Sequence, residues 1–299
     1  MSERGPDRSV RLAWGAVIVI LLGAVGLVTY ALTHESSPAT VAQTSLTSPA
    51  IVSTLATIPT ATFDTVGVTV PGITLTAPQV LSGQPALTAQ GRPQVLFVGS
   101  EFCPFCAAER WPLVVALARF GRFTELHDAT SSSLSVFPGT ATFSFAGSRY
   151  TSPYLTFTGI ERYSDQVGAD GSFTRVAGLT SAQAALVAHY SCAGSPAPTC
   201  SAPFVDIGGR MVATTSGFSP ALLAGQSQAQ IAGVVAQPPR STGPPVTAAT
   251  PPAGPAVIAV ANQLAAGICA ATGQRPSTVC RSKGVRSADQ ALGITLPAG

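Results

Sequence analysis

The chain has 299 residues, 46% of them hydrophobic and only 10% charged, with a formal net charge of +3. Arg4, Arg8 and Arg11 against Glu3 and Asp7 account for +1 of that, which leaves about +2 for everything after residue 11. This excludes the dense basic face that nucleic-acid binding requires. The length suffices for one sizeable core with tails, or for two small domains, and no internal repeat is visible.

Leu12 to Leu32 run for twenty-one residues without a charge. At about 1.5 Å per helical residue they would span roughly 30 Å of hydrocarbon. Arginines precede the run while His34 and Glu35 follow it, so residues 1–11 are expected in the cytoplasm and the rest outside. The rival reading is a cleaved signal peptide, whose apolar stretch is shorter, about 7–15 residues. Both readings put the remainder on the extracytoplasmic side. Residues 33–64 are rich in Ser, Thr, Ala and Pro, with no aromatic before Phe63. They are expected as a disordered tether, since so little apolar area does not offset the entropy of ordering.

The folded domain is predicted over 65–237. Val66–Val70 alternates like a strand, and Pro93–Gly99 is a nearly unbroken apolar run, as in a central strand covered on both faces. A helix follows from Pro104 to about Phe120, with Pro112 inside it to kink it. Its apolar stripe holds Trp111, Val114, Val115 and Ala118, leaving Glu109 and Arg110 on a solvated face. Thr140–Phe145 and Tyr154–Thr158 read as strands. Thr180 and Gln183 form a capping box opening a helix to about Tyr190. Phe204–Val212 reads as a hairpin turning on Gly208-Gly209. Ser219-Pro220 is placed as the head of a helix reaching Gln237. Residues 238–256 are a proline-rich connector. Residues 257–299 are expected as a helical segment closed by a disulfide; Asn262 and Gln263 argue against a second membrane span over 257–271.

All six cysteines lie beyond the apolar run, and an oxidising compartment favours pairing of near neighbours: Cys103–Cys106, Cys192–Cys200 and Cys269–Cys280. The first pair carries the chemistry. Pro104 suits the first helical position, which makes Cys103 the helix cap, facing unpaired N–H groups and the positive end of the helix dipole. Both lower its pKa below the ordinary value of about 8.5. Cys106, one turn deeper, is the resolving thiol that attacks a mixed disulfide on Cys103. A structural disulfide or half of a zinc site is the plain alternative, although zinc wants four ligands and no second C-x-x-C or H-x-x-x-H is present. Glu101 is either a proton relay to Cys106 or a solvated strand-end carboxylate. Cys192/Cys200 reads as a staple or as a second redox pair, and His189 beside it as a solvated helix-end residue or a metal ligand. Phe102 is assigned to an apolar rim and Trp111 to the core.

The strand–C-x-x-C–helix order resembles the thioredoxin superfamily. That resemblance implies a cis-proline facing the dithiol and contacting substrate backbone. Pro203, before the Gly-Gly hairpin, is the candidate, and Pro153 is the weaker rival. The long stretch between Phe145 and Pro203 implies a thioredoxin-like α/β fold with an insertion at about 147–200. Gly99-Ser100-Glu101-Phe102-Cys103-Pro104-Phe105-Cys106-Ala107-Ala108-Glu109-Arg110-Trp111, together with Thr142–Phe145, Tyr150–Leu155, Glu161 and the Cys269/Cys280 tail, further resembles a family of unknown function found in actinobacteria and some archaea (domain of unknown function 929). The expected protein is a membrane-anchored thiol–disulfide oxidoreductase. Cys103, Cys106, Pro203 and Glu101 form its site, thiol- or disulfide-bearing proteins are its substrates, a membrane redox partner is possible, and no cofactor or nucleic acid is required. A non-enzymatic binding module and a Cu(I)-handling dithiol are the competing classes.

Overall fold

A computed structural model of the chain describes residues 45–191, 202–237 and 252–294. Helices α1 (Pro49–Ala56) and α2 (Thr60–Val66) come first, then strands β1 (Gln79–Val80), β2 (Thr88–Ala89) and β3 (Arg92–Gly99). Helix α3 (Pro104–Ala118) leads into a long hairpin, β4 (Arg122–Thr130) and β5 (Ala141–Thr151). Strands β6 (Thr156–Glu161), β7 (Tyr163–Val167) and β8 (Phe173–Arg175) precede α4 (Ser181–Ser191). After residue 202 come β9 (Phe204–Ile207), β10 (Met211–Ala213) and α5 (Gln228–Ala236). Helices α6 (Ala253–Ala271), α7 (Ser277–Cys280) and α8 (Lys283–Leu292) follow.

The architecture is mixed α/β. Strand β3 lies at the centre of a mixed sheet, with β6 parallel on one side (Gln94↔Thr156 to Gly99↔Glu161) and β9 antiparallel on the other (Val95↔Ile207 to Val98↔Phe204). Strand β10 continues outward from β9, β1 pairs with β10, and β2 caps the start of β3. The unbroken apolar run of β3 has its cause here. Val95 and Phe97 join the main core with α3 and α6, while Leu96 and Val98 point the other way into a smaller cluster with Ile160, Phe204 and Val187 of α4. The β9–β10 turn uses Gly208 and Gly209, both at positive φ, and the Asp206 carboxylate accepts the Gly209 N–H at 2.7 Å. The capping box at Thr180/Gln183 is present in both directions, with Thr180 N–H donating to Gln183 Oε1 and Gln183 N–H to Thr180 Oγ1.

The fold departs from the sequence expectation in five places. Residues 45–64, within the stretch expected as tether, are folded: α1 and α2 bury Leu55 and Phe63, and the Arg119 guanidinium lies 4.1 Å from the Phe63 ring centroid. A few apolar residues at helical spacing suffice when a finished core receives them. Residues 67–72 form a turn, in which Val70 bridges back to Ile73, and not a strand. The Ser219-Pro220 helix is a single 3-10 turn, Pro220–Leu223; Gly225 at positive φ ends it, and Ser227 with Gln230 caps α5 separately. Helix α3 has no solvated face beyond its first turn, where Phe105 is exposed. Sheet, α1 and α6 enclose it, and Glu109 and Arg110 are both buried. Finally, the C-terminal helical segment expected over 257–299 is part of the core, and its first helix starts at Ala253, inside the range expected as connector. α6 is long and apolar enough to cross a membrane, yet it is buried within the fold.

Candidate dithiol site

The site is assembled at the end of β3. Gly99 terminates that strand against the Phe97 ring and Cys106. A Cβ on Gly99 would stand 2.6 Å from Phe97 Cζ and 3.2 Å from Cys106 Sγ, so only glycine fits. Four residues on, Cys103 caps α3 with extended backbone, and its Sγ accepts the Cys106 N–H at 3.3 Å while Pro104 occupies the first helical position. This is the cap arrangement the sequence predicts, and it aims orphan helix donors at the sulfur.

Cys103 and Cys106 stand as free thiols, the reduced form of the pair expected as a disulfide. The two are electrostatically unlike. The hydrogen bond from Cys106 brings Cys103 down to about 7, against an opposing effect of burial and with further help from backbone N–H groups and the charge of Arg110. Cys106 is pushed well up, first by complete burial and then by its neighbour Cys103. One sulfur is therefore substantially thiolate near neutrality, while the other keeps its proton until a base or a disulfide neighbour changes its surroundings.

Pro203 arrives from the opposite strand. The Ala202–Pro203 peptide is cis, and the Ala202 carbonyl oxygen accepts from the Cys103 thiol at 4.0 Å, across 99 positions of sequence. Pro153, the rival candidate, lies with Arg92 and Pro93 at the far end of β3, away from the dithiol.

Glu101 is buried, which overturns its reading as a solvated carboxylate. It accepts from Ser144 Oγ, and burial raises its pKa. Among the described residues that hydroxyl is its side-chain hydrogen-bond partner, and neither thiol is. Beneath it lies a group that sequence reasoning assigned to solvent. Arg110 forms a fork to Glu161, Nε to Oε1 at 3.0 Å and Nη2 to Oε2 at 2.6 Å, and Nη2 also donates to the Ser100 carbonyl at 2.9 Å. The signal available in the sequence was an arginine one helical turn after Cys106 on a helix whose other charged residue is Glu109.

Around the opening, Phe102 stacks on Phe173 with centroids 4.1 Å apart, and half-exposed Phe105 meets Phe137 edge-on at 6.0 Å. Leu134 and Val136, in the loop carrying Phe137, are exposed. Trp111 is core, as expected, its indole N–H donating to the Ala141 carbonyl at 3.0 Å. Cys269 and Cys280 form a disulfide with Cα atoms 5.6 Å apart. The Cys192–Cys200 pair lies outside the described residues. His189 packs edge-on against Tyr190.

Fold and site together define a mixed α/β protein with a helix-capping C-x-x-C dithiol at the end of its central strand. Residues 80–249, more than half of the chain, match the family model described as "Domain of unknown function (DUF929)". The chain belongs to that family. No curated protein and no solved structure matches it.

Proposed function

We propose that this protein is a thioredoxin-like thiol–disulfide oxidoreductase acting on cell-envelope or secreted proteins. The observation that carries the reading is the asymmetry of the capped pair: Cys103 accepts the N–H of Cys106 and is lowered to about 7, and Cys106 is wholly buried and raised. The fold reading is supported by the strand order β6-β3-β9-β10, with a parallel, then an antiparallel, then an antiparallel pairing. It is also supported by α3 following β3 directly and by the cis peptide before Pro203 beside the sulfur. Residues 12–32 would anchor the chain, with the folded part on the extracytoplasmic side. The Cys269–Cys280 disulfide is in keeping with such a compartment.

In the reducing direction, the Cys103 thiolate attacks one sulfur of a substrate disulfide. A Cys103–substrate S–S bond forms, the substrate S–S bond breaks, and the leaving sulfur departs as a thiolate that takes a proton from water. Cys106 then gives up its proton and attacks Cys103 Sγ, releasing the second substrate thiolate. Two electrons pass to the substrate and the Cys103–Cys106 pair becomes a disulfide. Run backwards, the same steps deliver a disulfide to a dithiol. The Ala202 carbonyl and Pro203 lie where an extended substrate backbone would meet the attacking sulfur.

Cys106→Ala leaves the first step intact and removes the second. Expressed in its own envelope, this variant should accumulate covalent adducts visible on non-reducing gels, released by dithiothreitol and lost in Cys103→Ser. No adduct, together with a reduction potential below about −300 mV for the wild-type pair, would replace the oxidoreductase with a non-enzymatic binding module.

A further inference from the structure

Arg110 and Glu161 are both fully buried in the core. Pairs of this kind contribute little net stability, because desolvating two charges offsets their attraction and an apolar pair of similar volume serves as well. Their position suggests another use. Arg110 follows Cys106 by four residues on α3, so the two share one helix face, a turn apart. The guanidinium carbon lies 5.4 Å from the centroid of the Phe97 ring, and the edge of that ring meets Gly99 where Cys106 Sγ also packs. Glu161 is itself held by the Phe145 N–H at 3.2 Å, so the fork has a fixed anchor. Glu161 and the Ser100 carbonyl take Nε and Nη2, while Nη1 is buried without a hydrogen-bond partner among the described residues.

We propose that Arg110, oriented by Glu161, is a positioning residue that holds a fixed positive charge under the dithiol and stabilises sulfur anions during exchange. The proposal deepens the oxidoreductase reading and rests on it for its purpose, though not for its measurement. The charge stabilises the reduced, anionic form of the pair more than the neutral disulfide, so it makes the couple more oxidising. The attraction of Arg110 for both sulfurs acts in that direction. Besides the two thiols and Glu161, the ionisable groups bearing on this cluster are Glu101 and, through it, Asp165.

The test is the pH profile of Cys103 alkylation by iodoacetamide, together with the redox equilibrium against glutathione, in the full chain. Arg110→Met combined with Glu161→Leu removes both charges and leaves no buried charge unpaired. The alkylation midpoint should rise by about one unit, which makes the reaction about tenfold slower on the acid side. Above both midpoints the equilibrium should move about tenfold toward the disulfide, and about twofold near pH 7; Arg110→Lys should retain most of the wild-type behaviour. Arg110→Gln combined with Glu161→Gln, which is neutral and keeps hydrogen-bonding groups at both positions, serves where the first double variant does not fold, with the same shift expected. A folded variant with the wild-type profile overturns the proposal, and so does failure of both variants to fold, which would assign the pair to architecture. If Cys106→Ala traps nothing while the profile shifts, the exchange reading fails and the electrostatic one stands.

Discussion

Glu109 is a carboxyl held in the core. Its Oε2 accepts the Gly217 N–H at 2.9 Å, its Oε1 has no hydrogen-bond partner among the described residues, and burial raises its pKa to about 8 against an ordinary 4.5. The folded state thus holds this proton through a range in which the unfolded chain has released it. Its contribution to stability is complete below pH 4.5 and is lost as pH rises through about 8. Glu109→Gln keeps the acceptor for Gly217 and stays neutral. Urea denaturation should show the variant equal to wild type in acid and more stable above pH 8, by on the order of 5 kcal/mol at most. A constant difference across pH would assign the effect to packing instead. Residues at this scale were unevenly legible. Cys103 and Pro104 declare the cap, because a helix cap is a local matter of neighbouring types. Arg110, Glu109 and Glu101 look like surface residues, because their burial depends on elements more than thirty positions away.

Among the elements, α6 and α7 meet at the Cys269–Cys280 bridge, which closes an 11-residue separation. Constraint of so short a loop contributes about 3 kcal/mol in the chain-entropy account. Replacing both cysteines with serine should lower the unfolding free energy by that amount while leaving the alkylation rate of Cys103 unchanged. A loss of Cys103 reactivity would show that the bridge holds the site and not only the helices. The elements recovered from sequence carry their own boundary chemistry: the apolar run of β3, the Gly208-Gly209 turn, and the Thr180/Gln183 box. Those missed lack it. Helix α1 has no side-chain cap, and a glycine at 225 cuts one expected helix into a 3-10 turn and α5.

At the level of the whole molecule, the boundaries moved outward on both sides. Asn262, which argued from sequence against a membrane span, donates to the carbonyls of Phe63 and Gly67 and accepts from Arg119. It thereby ties α6 to α2 and to the end of α3. Asp64 likewise accepts the Gly284 N–H at 2.9 Å. Sequence composition cannot show such a clasp, because each partner alone resembles linker or tail. A chain beginning at Ser45 should therefore fold with a cooperative thermal transition, whereas one ending at Gln237 should not, and circular dichroism with a melting curve decides both. The same clasp has a consequence for biosynthesis. When Ala118 leaves the ribosome, α3 has α1 to pack on but lacks the β4–β5 hairpin and α6, and its cover is completed only with Val257–Ile268. Until then the nascent chain carries at most four of its six cysteines, Cys103, Cys106, Cys192 and Cys200. The core that buries Cys106 is thus completed only after α6 has been made.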